Sequence, residues 1–117
     1  MKTVTLTLAQ FMSAGTERYG SEIRHWRFRC PACGHVQSME DFRPFKSQGA
    51  TADDVRFNCV GRFLGAKRKA FGGHGPGPCD YTTGGLFNIT PLTISTDEGD
   101  KHAFDFADQP LTGLTTP

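Results

Sequence analysis

Four cysteines constrain this chain more than any other feature. Cys30-Pro31-Ala32-Cys33-Gly34 places two thiols on either side of a two-residue spacer. A tight turn of this kind can direct both sulfurs at one metal ion. Pro31 restricts the backbone inside the turn, and Gly34 tolerates the positive φ that turns backbone N–H groups towards the sulfurs. This segment therefore predicts half of a metal site.

The other two cysteines, Cys59 and Cys79, have nineteen residues between them. We interpret them as a second cysteine turn that has been opened by an insertion. Tetrahedral zinc takes four such ligands, so the sequence predicts one structural Zn²⁺ site made of all four cysteines.

Other readings of these cysteines remain open. They could form disulfides, stay as free structural thiols, or include a redox-active Cys30/Cys33 pair, although the βαβ pattern of thioredoxin-like proteins is missing. His74 or His35 could also replace one sulfur ligand. The chain starts without an apolar leader and has no apolar run long enough to span a bilayer, so we expect a cytoplasmic protein without membrane contact. Reduced thiols in that compartment favour metal binding.

The cysteine count also bears on catalysis. Four thiolates close the coordination shell of zinc, whereas a catalytic zinc keeps one position open. The sequence contains no His-x-Glu with Pro-Cys-x-x-Cys, no P-loop and no His-Glu-x-x-His. We therefore expect a protein that is not an enzyme.

Hydrophobic residues make up 37% of the chain, and Gly and Pro divide it into short segments. Ser38 to Phe42 has the N-cap and acidic first turn of a short helix. Strands are predicted at Thr3–Gln10, Ile23–Arg29, Asp54–Val60 and Gly85–Ser95, with another short one at Ala103–Ala107. The pattern predicts a small β-rich α+β domain, in which an antiparallel sheet carries a zinc ribbon and one short helix. We place this domain at residues 1–95 and an acidic, partly flexible C-terminal region at residues 96–117.

Charge is unevenly distributed along the chain. Residues 18–69 contain eleven Lys and Arg against five Asp and Glu, whereas residues 80–117 contain one Lys against six acids. The insertion at residues 61–78 is basic and glycine-rich, and we expect it to contact a partner. Arginine and lysine suit phosphates, and aromatic rings can stack on bases or anchor a protein interface, so both partner classes stay open. The expected contact residues are Arg62, Lys67, Arg68, Lys69 and Phe71.

Two segments, Trp26–His35 and Gly77–Phe87, resemble small uncharacterised zinc-ribbon proteins encoded by phages and prophages. The resemblance covers about residues 20–95. It implies no biochemical activity, but it implies a phage context, in which small proteins often bind and redirect host machinery. The preferred expectation is therefore an adaptor or inhibitor of a host protein, including proteins of bacterial defence systems. The alternative is a nucleic-acid-binding zinc ribbon that uses the basic loop.

Overall fold

The computed structural model describes residues 3–66, 68–71, 73, 77–83 and 88–113. Two three-stranded sheets and a few short helices form a small α+β domain, which confirms the predicted fold class. The strands are β1 (Val4–Thr7), β2 (Phe28–Arg29), β3 (Val36–Gln37), β4 (Leu92–Thr96), β5 (Gly99–Ala103) and β6 (Asp105–Phe106). The α-helices are α1 (Leu8–Tyr19), α2 (Met39–Phe42), α3 (Asp54–Phe57) and α4 (Gly61–Leu64), and 3-10 turns cover Ile23–His25 and Arg43–Gln48.

The two sheets differ in how their strands are paired. One has the order β1-β4-β5, in which β1 runs parallel to β4 and β5 is antiparallel to β4. The other has the order β3-β2-β6 and is antiparallel throughout. The predicted antiparallel pairing therefore holds for one sheet, whereas the other is mixed.

Aromatic side chains join α1 to the β3-β2-β6 sheet in the core. Phe11 of α1 stacks on Phe28 of β2 and on Phe106 of β6, and these two rings pack against each other at a tilt, with ring centroids 5.3–6.3 Å apart. The Trp26 ring meets this cluster edge-on, and its indole N–H donates to the carbonyl of Gly20. Such buried aromatic pairs add to the free energy gained from burial.

The short helix predicted after Ser38 is confirmed as α2. The Ser38 side chain accepts a hydrogen bond from the backbone of Asp41, and the Asp41 carboxylate accepts one from the Ser38 N–H at 2.8 Å. This reciprocal capping box satisfies two backbone donors that a helix start leaves unpaired.

The strand predicted for Thr3–Gln10 is only half right, because it ends at Thr7 and a twelve-residue helix follows. Thr7 and Gln10 form a capping box: the Gln10 N–H donates to the Thr7 hydroxyl at 3.1 Å, and the Gln10 side chain accepts from the Thr7 N–H at 2.8 Å. These local hydrogen bonds override the alternation that suggested a longer strand.

Two further strand predictions are wrong over most of their length. Residues 23–25 form a 3-10 turn, so the strand predicted for Ile23–Arg29 is reduced to β2. Asp54 accepts a hydrogen bond from the Thr51 N–H at 2.6 Å and starts α3 where Asp54–Val60 was predicted to be extended. Only Asn58 in that segment makes a strand-like bridge, to Thr82.

The end of the chain contributes to the core. The predicted boundary after residue 95 falls inside β4, and Ala103, Phe104 and Phe106 are buried. The strand predicted at Ala103–Ala107 corresponds to the last residue of β5 together with β6. Of the strand predicted at Gly85–Ser95, residues 85–87 lie outside the described part of the chain, and β4 occupies its end.

Candidate metal centre

The first two cysteines lie on a hairpin. Cys30 follows β2, and the turn through Cys33 returns the chain into β3. The Cys30 N–H donates to the His35 carbonyl at 2.9 Å, and the Gly34 N–H donates to the Cys30 carbonyl at 2.8 Å. Gly34 has φ of +81°, as the sequence predicted for this position. The two sulfurs are thus fixed on one side of a closed turn.

The other two cysteines are brought together by backbone pairing across the base of the insertion. The Cys59 N–H donates to the Tyr81 carbonyl at 3.0 Å, and the adjacent residues Asn58 and Thr82 form an antiparallel bridge. The residues that close the insertion therefore run side by side, although nineteen residues separate Cys59 from Cys79.

The structure brings all four sulfurs into one cluster. Their Sγ atoms lie within 4.8 Å of one another. Cys30 and Cys79 are 3.9 Å apart, and Cys33 and Cys59 are 3.7 Å apart. Sulfurs on a tetrahedral zinc lie about 3.8 Å apart, because each Zn–S bond is about 2.3 Å long. All four cysteines are free, and their spacing far exceeds the roughly 2.05 Å of a disulfide bond.

The cluster is closed to solvent on most sides. Cys30, Cys59 and Cys79 are at most 1% exposed, and Cys33 is half-buried. The sulfurs shift one another's pKa in opposite directions. Hydrogen bonds with the neighbouring thiols, that of Cys33 first, raise the pKa of Cys30, whereas hydrogen bonds led by that of Cys30 lower the pKa of Cys33. Thiols that share protons in this way can exchange them for a dication, since metal binding releases the protons of its ligands.

Backbone N–H groups approach three of the sulfurs, each from two residues further along the chain. The pairs are His35 with Cys33 at 3.5 Å, Gly61 with Cys59, and Tyr81 with Cys79. Such donors stabilise negative charge on sulfur, so the backbone is arranged for thiolates.

The histidines considered as alternative ligands do not join the cluster in the described part of the chain. His35 contributes its backbone N–H, and its ring is not among the clustered ligand groups. His74 lies outside the described residues.

Two residues that the sequence did not single out position these cysteines. The side chain of Gln37, in β3, is only 1% exposed and forms its hydrogen bonds with backbone groups of the neighbouring segment. Its amide donates to the carbonyls of Val55 and Asn58 at 2.8 Å, and its side-chain oxygen accepts from the Val60 N–H at 2.9 Å. Gln37 therefore attaches the segment that carries Cys59 to the hairpin that carries the first pair.

Gly61 has a different role, because it allows two backbones to cross closely. A Cβ atom on this residue would lie 2.1 Å from the carbonyl oxygen of Cys79 and 2.9 Å from the carbonyl carbon of Pro78. The glycine two residues after Cys59 was the sequence signal for this contact.

The insertion is held next to the cysteine cluster through Asp80, the neighbour of Cys79. One carboxylate oxygen of Asp80 accepts from the Ala70 N–H at 2.7 Å, and the other lies 3.6 Å from the Lys69 ammonium nitrogen. The Asp80 carbonyl accepts from Arg62 at 2.9 Å. Arg68 donates to the carbonyl of Gly77 at 3.1 Å. Hence three of the four cations expected to contact a partner are bonded to Gly77 or Asp80, at the end of the insertion and just beyond it. Lys67 lies outside the described residues.

The aromatic side chains in the insertion and in the segment before it divide into buried and exposed ones. Trp26 is buried, and the rings of Phe45 and Phe63 are partly buried and stack on each other at 6.0 Å. Phe71, by contrast, is 53% exposed and contacts the ring of Tyr81 edge-on at 6.1 Å. Leu64, also in the insertion, is 56% exposed.

Within the described residues, no helix combines the length and apolar character needed to cross a membrane. A family model described as VVA0879-like matches residues 7–107 of the chain. Neither a curated protein nor a solved structure shows significant similarity to this chain.

Proposed function

The chain belongs to the VVA0879-like family, and we propose that it is a non-catalytic binding module of the zinc-ribbon type. The observation that carries this proposal is the sulfur cluster, whose paired spacings of 3.7 and 3.9 Å fit a tetrahedral zinc ion. The hairpin that carries Cys30 and Cys33 and the paired segments that carry Cys59 and Cys79 supply two sulfurs each, as the two halves of a zinc ribbon do.

A structural role for the metal follows from the closed shell. Three ligand sulfurs are buried, and four thiolates leave zinc no position for water or substrate. Zinc binding to such sites is worth about 10–16 kcal/mol. The whole stability of a domain is about 5–15 kcal/mol, so metal binding and folding should be one event.

Metal analysis tests this part of the proposal. Protein purified under reducing conditions without chelator should contain one zinc per chain, and replacing zinc with cobalt(II) should give the absorption bands of a tetrahedral thiolate site. Cys33→Ser should lose the metal, whereas Ser13→Ala on the exposed face of α1 should keep it. Well under one zinc per chain in the wild-type protein would refute the proposal.

We further propose that the insertion binds a protein rather than nucleic acid. Its described cations already donate to carbonyls or to Asp80, so phosphates would have to compete with these bonds. Leu64 and Phe71 instead expose apolar surface next to positive charge, which suits the anchor residues of a protein interface. The proposal also includes a phage origin, a location in the cytoplasm of a bacterial host, and a host protein as the partner. These parts rest on the sequence resemblance.

Pull-downs from bacterial lysate, with and without nuclease, separate the two partner classes. We expect one stoichiometric protein that survives nuclease treatment. Phe71→Ala should release it while zinc content is unchanged, and Ser13→Ala, at an exposed position of α1 outside the insertion, should not. Nuclease-sensitive recovery of nucleic acid, weakened by Arg68→Ala with Lys69→Ala and strongly dependent on salt, would support the nucleic-acid alternative instead.

A further inference from the structure

A groove of about 560 Å³ lies between the start of α1, the 3-10 turn at Ile23–His25, α3 and the turn that joins β4 to β5. None of the four cysteines lines it. Trp26 and Phe28 form its buried floor. The volume is within the range of about 300–1,000 Å³ that is typical of binding pockets.

The walls of the groove expose apolar surface. Leu8 is 49% exposed and Ile23 is 37% exposed. Both belong to a group of four exposed large hydrophobic residues in the described part of the chain, and the other two are in the insertion. Met12 and Met39 also line the groove, and flexible methionine side chains adapt to varied apolar partners. The domain therefore has a second apolar surface besides the insertion.

One lip of the groove is acidic. Asp97 and Glu98 occupy the exposed turn between β4 and β5, and Lys101 lies beside them. The other charged residues that line the groove neutralise each other, because Arg56 pairs with Asp53 at 3.2 Å. Arg56 also donates to the His102 carbonyl at 2.8 Å. The two turn carboxylates thus outnumber the remaining cation.

We propose that this groove binds a short peptide segment of another protein, in which bulky apolar side chains lie next to Lys or Arg. The apolar floor and walls would bury the apolar side chains, and the Asp97–Glu98 lip would attract the flanking cations. The same lip repels phosphates, so the groove does not suit nucleic acid. This site is separate from the insertion, and its test does not depend on the insertion's partner.

A display library of random dodecapeptides, panned on the zinc-loaded full chain, identifies the occupant. Enriched peptides should combine Leu, Ile, Phe or Met with Lys or Arg. The most enriched peptide, synthesised with a fluorophore, then reports binding by anisotropy. We expect Leu8→Ser to weaken it at least about tenfold, because an apolar contact is lost. Leu64→Ser, the same change at a residue of similar exposure in the insertion, should alter binding less than about twofold.

A second pair of variants tests the charge of the lip. Glu98→Lys should weaken binding about fivefold at low salt, and the loss should shrink at high salt because exposed charges are screened. Glu17→Lys makes the same charge change on an exposed part of α1 that does not line the groove, and it should have little effect. If Leu8→Ser fails to retain zinc and helical circular dichroism, Ile23→Ser provides the same test.

Three results would overturn the proposal. These are enrichment of peptides without basic residues, equal loss of binding in Leu8→Ser and Leu64→Ser, and no enrichment above the bare support. Sedimentation could also show that the wild-type chain self-associates and that Leu8→Ser abolishes this association. That result would assign the groove to a second copy of this chain and would refute the proposed peptide ligand.

Discussion

Replacing Gly61 with alanine tests whether the close backbone contact at the cysteine cluster or the local helix propensity determines the stability of the variant. Gly61 is the first residue of α4 and has no positive φ in the structure. Alanine at such a position ordinarily stabilises a protein by about 0.4–1 kcal/mol, because it restricts the unfolded chain. Local reasoning therefore predicts a more stable variant.

The tertiary contacts predict the opposite result. The added methyl group would lie 2.1 Å from the Cys79 carbonyl oxygen and 3.0 Å from the Cβ atom of Ala66. The backbones of Gly61 and Cys79 would have to separate by about 1 Å to relieve this contact, and overpacking of this kind costs about 1–3 kcal/mol. Because ligand distances in a metal site tolerate only about 0.2 Å, displacement of Cys79 should also weaken zinc binding, by about 10- to 100-fold.

Competition with a chromophoric chelator measures the zinc affinity, and thermal unfolding of the loaded protein measures the stability. Gly49→Ala is the matched control: Gly49 has φ of +93° with nothing near its Cβ position, so alanine there adds backbone strain without a steric contact. It shows how far zinc affinity falls through destabilisation alone. A Gly61→Ala variant that melts at a higher temperature, or loses no more zinc affinity than Gly49→Ala, would refute the reasoning.

Three other perturbations test separate parts of the structure. Gln37→Leu should lower the free energy of unfolding by about 3 kcal/mol in urea titrations. It removes the hydrogen-bond partner of two carbonyls, one of them buried, and of one buried N–H. An unchanged midpoint would contradict this. Gly15→Ala should lower the melting temperature despite the better helix propensity of alanine, because its Cβ would lie 2.1 Å from the Trp26 ring; a rise would show that α1 can move away. Removal of zinc by a chelator, or Cys30→Ser, should unfold the domain as seen by circular dichroism, and a native spectrum without metal would show that the metal is dispensable for folding.

Structure that depends on hydrogen bonds between residues three or four positions apart could be predicted from the sequence. The turn at Cys30–Gly34 and the short helix after Ser38 are as predicted, because proline, glycine and a capping box act within one turn of chain. The strand predicted for Thr3–Gln10 was wrong after Thr7, because a capping box starts a helix there and alternation alone does not reveal it.

The acidic end of the chain shows that amino-acid composition does not predict whether a segment is buried. Asp105 is 6% exposed, yet its carboxylate accepts hydrogen bonds from the N–H groups of Phe106, Leu111 and Thr112 and from the Thr112 hydroxyl. A buried carboxylate is tolerated when its oxygens are satisfied in this way. Charge counts suggested an exposed, partly flexible tail, but the apolar partners of β6 decide where this segment lies.

The sequence by itself determined the chemistry of the centre: four thiols, one tight turn and a basic insertion between the last two. Tertiary structure alone decided that the four sulfurs meet within 4.8 Å and that Gln37 and Gly61 hold their segments together. It also decided that Arg62, Arg68 and Lys69 bond to Gly77 or Asp80. It also decided the parallel pairing of β1 with β4 and the groove with its acidic lip. The reason is physical: a turn or a cap depends on neighbours within a few residues, whereas a crossing of distant segments depends on which apolar surfaces the whole chain can bury at once.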